Sequence, residues 1–274
     1  MRISILLPYK ENFSAVSAGA VSLFVNQILK KSIFKDNINV FGNTEAKDHL
    51  DPCYINIEFK KNFLKSSSKI YVEKFLDNKV VSKSNIIEIH NRPNYVKFIK
   101  KIFDKNIFLY FHNDPLTMEG SSKIIERKYL LDNVDELIFN SNWSKNRFFS
   151  NLGVNESIYN HKIHICFQSS NKVKINFKKK KKLISFIGKL NSAKGYDIFG
   201  DSIIEILNKY KDWKATIIGH EEREKINFNH PNLQVLGFKD NQFVLNYLKK
   251  VSISVVCSRW EEPFGRVSLE STSR

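Results

Sequence analysis

Short apolar runs rich in β-branched residues alternate along this chain with longer amphipathic stretches. Residues 3–7, 38–41, 54–57, 86–90, 107–111 and 137–139 have the length and composition of buried strands. Helical periodicity lies between them, over residues 20–33, 68–78, 95–103, 123–132 and 144–151. The signal weakens over 158–176 and then resumes. Strands are expected at 183–187, 214–218, 233–236 and 252–256, with helices at 196–210 and 243–249. Continuous apolar strands joined through helices predict parallel sheets covered on both faces. The chain therefore reads as α/β with two domains, residues 1–175 and 176–274, meeting near residues 172–182.

At 274 residues, with 42% hydrophobic and 26% charged, the chain has enough apolar material for two cores and does not read as disordered. It carries 44 Lys and Arg against 28 Asp and Glu, a formal net charge of +16. Such a surplus suits a polyanion, an anionic membrane surface or a phosphorylated substrate, and also fits a lysine-rich drift with no partner. The five lysines 178–182 lack interleaved aromatics and a recognition fold, so no nucleic acid is expected as a partner. They read instead as a solvated linker that guards the apolar strand after them. Three widely spaced cysteines, Cys53, Cys166 and Cys257, support neither a disulfide framework nor a zinc site. The opening apolar run is too short for a signal peptide, and no stretch reaches the ~18 apolar residues of a membrane span. A soluble or peripheral protein in a reducing compartment is expected.

Chemistry-bearing residues gather at strand ends. After the first strand a polar loop leads to Ala18-Gly19-Ala20, small residues that would let a helix N-terminus approach a phosphate closely. No GxGxxG fingerprint accompanies them. His90 and His112 each close an expected strand; one would line a ligand crevice and the other cap its own loop, with His112 the stronger candidate. In the second domain, Gly188-Lys189-Leu190 and Lys194-Gly195 follow a buried strand, where open α/β folds bind ligands. Lys189 and Lys194 could clamp a diphosphate, though two solvated loop lysines would read the same way. Glu262 and Glu270 flank the Pro-Phe-Gly turn at the start of a last helix, whose free N–H groups favour an anion. Lying on either side of that turn, they suit an extended sugar nucleotide better than an acid/base pair.

These residues together resemble a family 4 glycosyltransferase of the GT-B fold (glycosyl transferases group 1). The family's two glutamates separated by seven residues match Glu262-Pro263-Phe264-Gly265-Arg266-Val267-Ser268-Leu269-Glu270. Gly188-Lys189-Leu190 with Lys194-Gly195 is similar to its phosphate clamp, with Lys189 in place of the usual Arg. Ile217-Ile218-Gly219, Leu236-Gly237-Phe238 and Ser258 fit its strand-end glycines and serine, and Ser141-Asn142-Trp143 its Ser-x-Trp element. The resemblance spans essentially the whole chain and is more specific in the second domain.

The resemblance implies two Rossmann-like parallel-sheet domains facing across a cleft: an acceptor-side domain, then a nucleotide-sugar donor domain. It implies transfer with retention to a glycan or lipid-linked acceptor, without metal or cofactor. His112 would contact the donor sugar and Glu262 its hydroxyls, as the catalytic residues. Gly19, Gly188, Lys189, Lys194, Phe264, Gly265 and Arg266 would hold the donor, and Glu270 its ribose. It further implies polysaccharide biosynthesis in the cytoplasm, with peripheral attachment at the inner membrane face. Because members continue past the position of Arg274, the second domain is expected to be incomplete and the chain a fragment, unstable or inactive alone. The alternatives are a non-catalytic polyanion- or membrane-binding module on the same scaffold, and a sugar-nucleotide epimerase or hydrolase.

Overall fold

The computed structural model describes residues 1–60 and 66–274. The chain forms two compact units, Met1–Gln168 and Ser169–Arg274. The first is built on strands β1 (Ile3–Leu6), β2 (Ile38–Gly42), β3 (Tyr54–Asn56), β4 (Ile86–His90), β5 (Asn106–Phe111), β6 (Glu136–Phe139) and β7 (Ile163–Ile165). All are parallel, in the order β3-β2-β1-β4-β5-β6-β7. Helices α1 (Ala20–Leu29), α2 (Ser67–Leu76), α3 (Lys79–Ser82), α4 (Val96–Ile99), α5 (Ile124–Asn133) and α6 (Asn142–Phe149) lie between the strands in sequence.

Alternate side chains of each strand feed opposite faces, so two cores form. Ile3, Ile5 and Val40 pack with Phe24, Val25 and Leu29 of α1. Leu6, Phe41, Ile87, Leu109 and Phe139 pack on the other side with α2, α4, α5 and α6. Burial on both faces explains why these strands read as unbroken apolar runs.

Two elements lacked such a signal. β7 is a short Ile-His-Ile strand at the sheet edge, half exposed, and so has no apolar run to detect. α3 is a single turn. The helix expected over 95–103 shrinks to a 3-10 turn at Pro93–Tyr95 followed by α4. There Ile102 and Phe103 both bond back to the Ile99 carbonyl, turning the chain toward β5.

The second unit comprises β8 (Lys181–Ile187), α7 (Tyr196–Lys209), β9 (Lys214–Ile218), β10 (Leu233–Gly237), α8 (Asn241–Leu248), β11 (Val251–Val255) and α9 (Arg266–Thr272). Its parallel sheet has the order β10-β9-β8-β11. Ile184, Phe186, Ala215 and Ile217 pack on α7; Leu183, Ile218 and Val251 pack on α8. The division falls at Gln168/Ser169, ahead of the expected 175/176, because the segment after Gln168 is held inside the second unit. There Arg274 donates to the Asn171 carbonyl (2.9 Å) and the Ser170 hydroxyl (3.2 Å).

The lysine run is likewise more than a linker. Lys181 and Lys182 open β8, and Lys180 Nζ donates to the Leu248 and Val251 carbonyls at 3.0 and 2.7 Å.

In both sheets the chain steps outward from the first strand and then returns to its other side. This reversal creates a topological switch point, between β1 and β4 in one sheet and β8 and β11 in the other. Beyond the carboxyl ends of the two flanking strands, such a point is where open α/β sheets bind ligands.

Candidate functional site

In the second unit every expected donor residue lies on the segments that follow β8 and β11, the strands flanking the switch point. The β8 loop carries Gly188, exposed Lys189 and half-buried Lys194. A 3-10 turn at Ser192–Lys194, capped by Asn191 Oδ1 (3.1 Å to Lys194 N), brings the chain to α7. Gly195 closes the loop in the left-handed region (φ 71°). A Cβ there would stand 2.0 Å from the Cys257 carbonyl oxygen, so glycine is what lets the β8 and β11 loops touch. From the β11 loop, Arg259 and Trp260 donate their backbone N–H groups to the Ala193 carbonyl.

This contact brings together residues far apart in sequence. Lys194 Nζ forms a close ion pair with Glu262, and Ser258 Oγ donates to the same Glu262 oxygen at 2.7 Å. The Lys194 ammonium also lies 4.9 Å from the centre of the Trp260 ring. Burial works against an ionised Glu262, but the Lys194 and Ser258 hydrogen bonds outweigh it and hold its pKa below the ordinary value. Glu262 is therefore a carboxylate, able to accept hydroxyl protons. Among the described residues no acid pairs with Lys189, which leaves its charge available.

Glu270 sits on α9, buried at 6% exposure, and takes hydrogen bonds from Arg266 Nε (2.8 Å) and Asn241 Nδ2 (3.0 Å). Gly265 precedes α9, with Phe264 half-buried before it. Glu262 and Glu270 are thus separately partnered and form no acid/base dyad.

Several supporting residues gave no sequence signal. Asn191 Nδ2 donates to Glu221 (3.1 Å), and Ser192 donates through its N–H and hydroxyl to Glu224. Glu221 is itself held well below the usual carboxylate range by its Arg223 partner. Arg259 forks onto Asp197 at the start of α7. The contacts of Asn191, Ser192 and Arg259 span 30 residues or more, and spacing along the chain cannot reveal them.

In the first unit, Gly19 is the N-cap of α1. The chain's own Glu11 lies against that helix start, its carboxylate accepting the Ser22 N–H at 2.9 Å. Burial pushes the Glu11 pKa up despite this bond. His112, just past β5, is buried and stacks with His90, its Nε2 2.9 Å from His90 Nδ1. His90 Nε2 lies 2.6 Å from Glu88, which completes a carboxylate–imidazole–imidazole chain. Phe24 of α1 packs edge-on to His112. The loop-capping role falls to neither histidine but to Asn91, whose Oδ1 accepts the His112 and Asn113 N–H groups. Both histidines belong to one cluster.

Residues 167–274 match the family described as Glycosyl transferases group 1. Over nearly its full length the chain is similar to two Bacillus subtilis (strain 168) proteins. "Putative glycosyltransferase YtcC" is 22% identical over 301 residues, covering 99% of this chain and 72% of the relative. "Spore coat protein SA" is 21% identical over 304 residues, covering 99% and 78%. Among solved structures, Anabaena Alr3699/HepE in complex with UDP-glucose superposes with a TM-score of 0.72 at 15% identity, covering 100% of this chain and 78% of that one. Two parallel-sheet units, charged loops at the second switch point and these matches give the chain the GT-B fold, with a second unit that matches the Glycosyl transferases group 1 family.

Proposed function

We propose that the protein transfers a hexosyl group, with retention and without a metal ion, from a uridine-diphosphate sugar to a glycan or lipid-linked acceptor. The observation that carries this reading is the Lys194–Glu262 pair, which joins a cation and an ionised acid across the switch point from two adjacent strands. A diphosphate needs the cation and a sugar needs a hydroxyl acceptor. Lys194 and Glu262 supply both from one spot, and Lys189 adds a second charge. The relative bound to UDP-glucose supports the choice of donor.

In the proposed reaction the bond from the anomeric carbon to the diphosphate oxygen breaks, and the acceptor oxygen bonds to that carbon on the same face. The acceptor's proton passes to the departing phosphate, whose charge Lys189 and Lys194 balance. Phe264, Gly265 and Arg266 line the donor with backbone N–H groups, and Glu270 takes the ribose. Lys189 and Lys194, both on the loop after β8 at the switch point, are assigned the charge neutralisation. Gly19 and His112 keep the roles that the family resemblance implies.

Calorimetric titration with UDP and UDP-glucose tests the reading. Wild-type protein is expected to bind both, and turnover to survive excess chelator. Lys194→Ala and Glu262→Ala, each losing a charge-assisted bond, are expected to weaken donor binding or transfer by about 10- to 100-fold with the circular dichroism unchanged. No affinity for any nucleotide sugar, together with salt-sensitive binding to anionic vesicles, would instead support a non-catalytic module.

A further inference from the structure

We propose that Asn241 is a positioning residue for recognition of the donor's ribose, acting through Glu270; this rests on the donor reading above. Two helices meet at Glu270. Arg266 lies one turn earlier on α9 itself and approaches from within the helix, while Asn241 reaches across from the first position of α8. Both donors land on the same carboxylate oxygen, Oε1. Arg266 contributes Nε alone rather than a two-pronged fork, and no hydrogen bond among the described residues goes to Oε2.

A carboxylate offers about four acceptor positions on two oxygens. A purely structural buried carboxylate gains most by spreading its donors over both oxygens, as a bidentate guanidinium does. Here one oxygen is anchored twice and the other is left to accept hydroxyl protons, which is what a vicinal diol such as ribose supplies.

Arg266 alone would not fix this geometry, because a donor on the same helix moves with Glu270. Asn241 ties the carboxylate to a second element and limits its rotation, as outer-shell partners do for working side chains. The amide adds no charge, so Glu270 keeps the charge balance set by Arg266. Capping α8 does not occupy Asn241, because the N-cap is Asp240, whose carboxylate accepts the Phe243 N–H at 2.9 Å.

The deciding experiment is the ratio of affinities for UDP and 2′,3′-dideoxy-UDP in wild-type protein, Asn241→Ala and Asn241→Asp, with inorganic pyrophosphate as the phosphate-only probe. Wild type is expected to prefer UDP by roughly tenfold or more, the worth of a charge-assisted hydrogen bond. Asn241→Ala should bring the ratio close to unity while pyrophosphate affinity and the melting curve stay unchanged. Asn241→Asp, isosteric but facing Glu270 with a like charge, should lose at least as much. Both residues are acceptable at a helix's first position, so the melting curve separates misfolding from mispositioning. A wild type that prefers UDP, with the same preference in both variants, would overturn this inference alone. A wild type without affinity for UDP would overturn the donor reading and this inference with it.

Discussion

At Glu11 and at Glu262 the same kind of group is tuned in opposite directions. Glu262 has Lys194 and Ser258 and is held ionised. Glu11 has burial as its largest influence and a backbone N–H as its main compensation, so its pKa is raised. A carboxyl whose folded pKa exceeds its unfolded value binds its proton more tightly in the folded state. Its contribution is full at low pH and is lost as pH rises through the raised folded pKa. Glu11→Gln keeps an acceptor for Ser22 and removes the titration. The melting temperature of wild type relative to this variant should therefore fall as pH increases from about 4.5, the group's ordinary value, toward neutrality. A difference independent of pH would show that the carboxyl is not desolvated in solution. The histidines show what a sequence hides at this scale. His90 and His112 are both legible as strand-end residues, but the contact between them, and Glu88 behind them, exist only because β4 and β5 pair in register.

Close backbone approaches, as well as apolar packing, set how elements lie against one another. After β9, Gly219 (φ 153°) lies so near the β8 loop that a Cβ would stand 1.7 Å from the Gly188 carbonyl oxygen. The obstacle is backbone and cannot rotate away, unlike the far end of a side chain. Gly219→Ala should therefore displace the loop that carries Lys189, costing about 1–3 kcal/mol in stability by denaturant titration. It should also weaken UDP binding. Unchanged stability and affinity would mean that the two loops do not approach as described. The long strands and helices were legible because their apolar periodicity matches their burial. β7, α3 and the 3-10 turns were not, since elements of three or four residues bury too little to leave a periodic trace.

For the whole molecule, the two sheets share a strand sequence in which the chain reverses direction after its first excursion, so each unit has its own switch point. The second matches the Glycosyl transferases group 1 family, over residues 167–274, and holds the Lys194–Glu262 pair. No helix among the described residues is long and apolar enough to cross a membrane. A formal net charge of +16 nevertheless predicts attraction to anionic bilayers. Sedimentation with anionic vesicles should show binding in dilute buffer that is released as ionic strength rises toward ~1 M, where the screening length falls to about 3 Å. Equal sedimentation with neutral vesicles, or binding indifferent to salt, would contradict an electrostatic attachment.

The α/β class, the two-unit division and the strand-end location of the candidate residues were determined by the sequence alone. Period and burial are local properties that each segment carries with it. The Glu262–Glu270 spacing and the glycines near Lys189 and Lys194 were likewise fixed in one dimension. Only the tertiary structure decided which charges meet. Lys194 pairs with Glu262, Glu270 with Arg266 and Asn241, Glu11 with the start of α1, and His90 with His112. Nearly all these partnerships join segments brought together by strand pairing, helix packing or a folded-back loop, and no spacing rule along the chain encodes them.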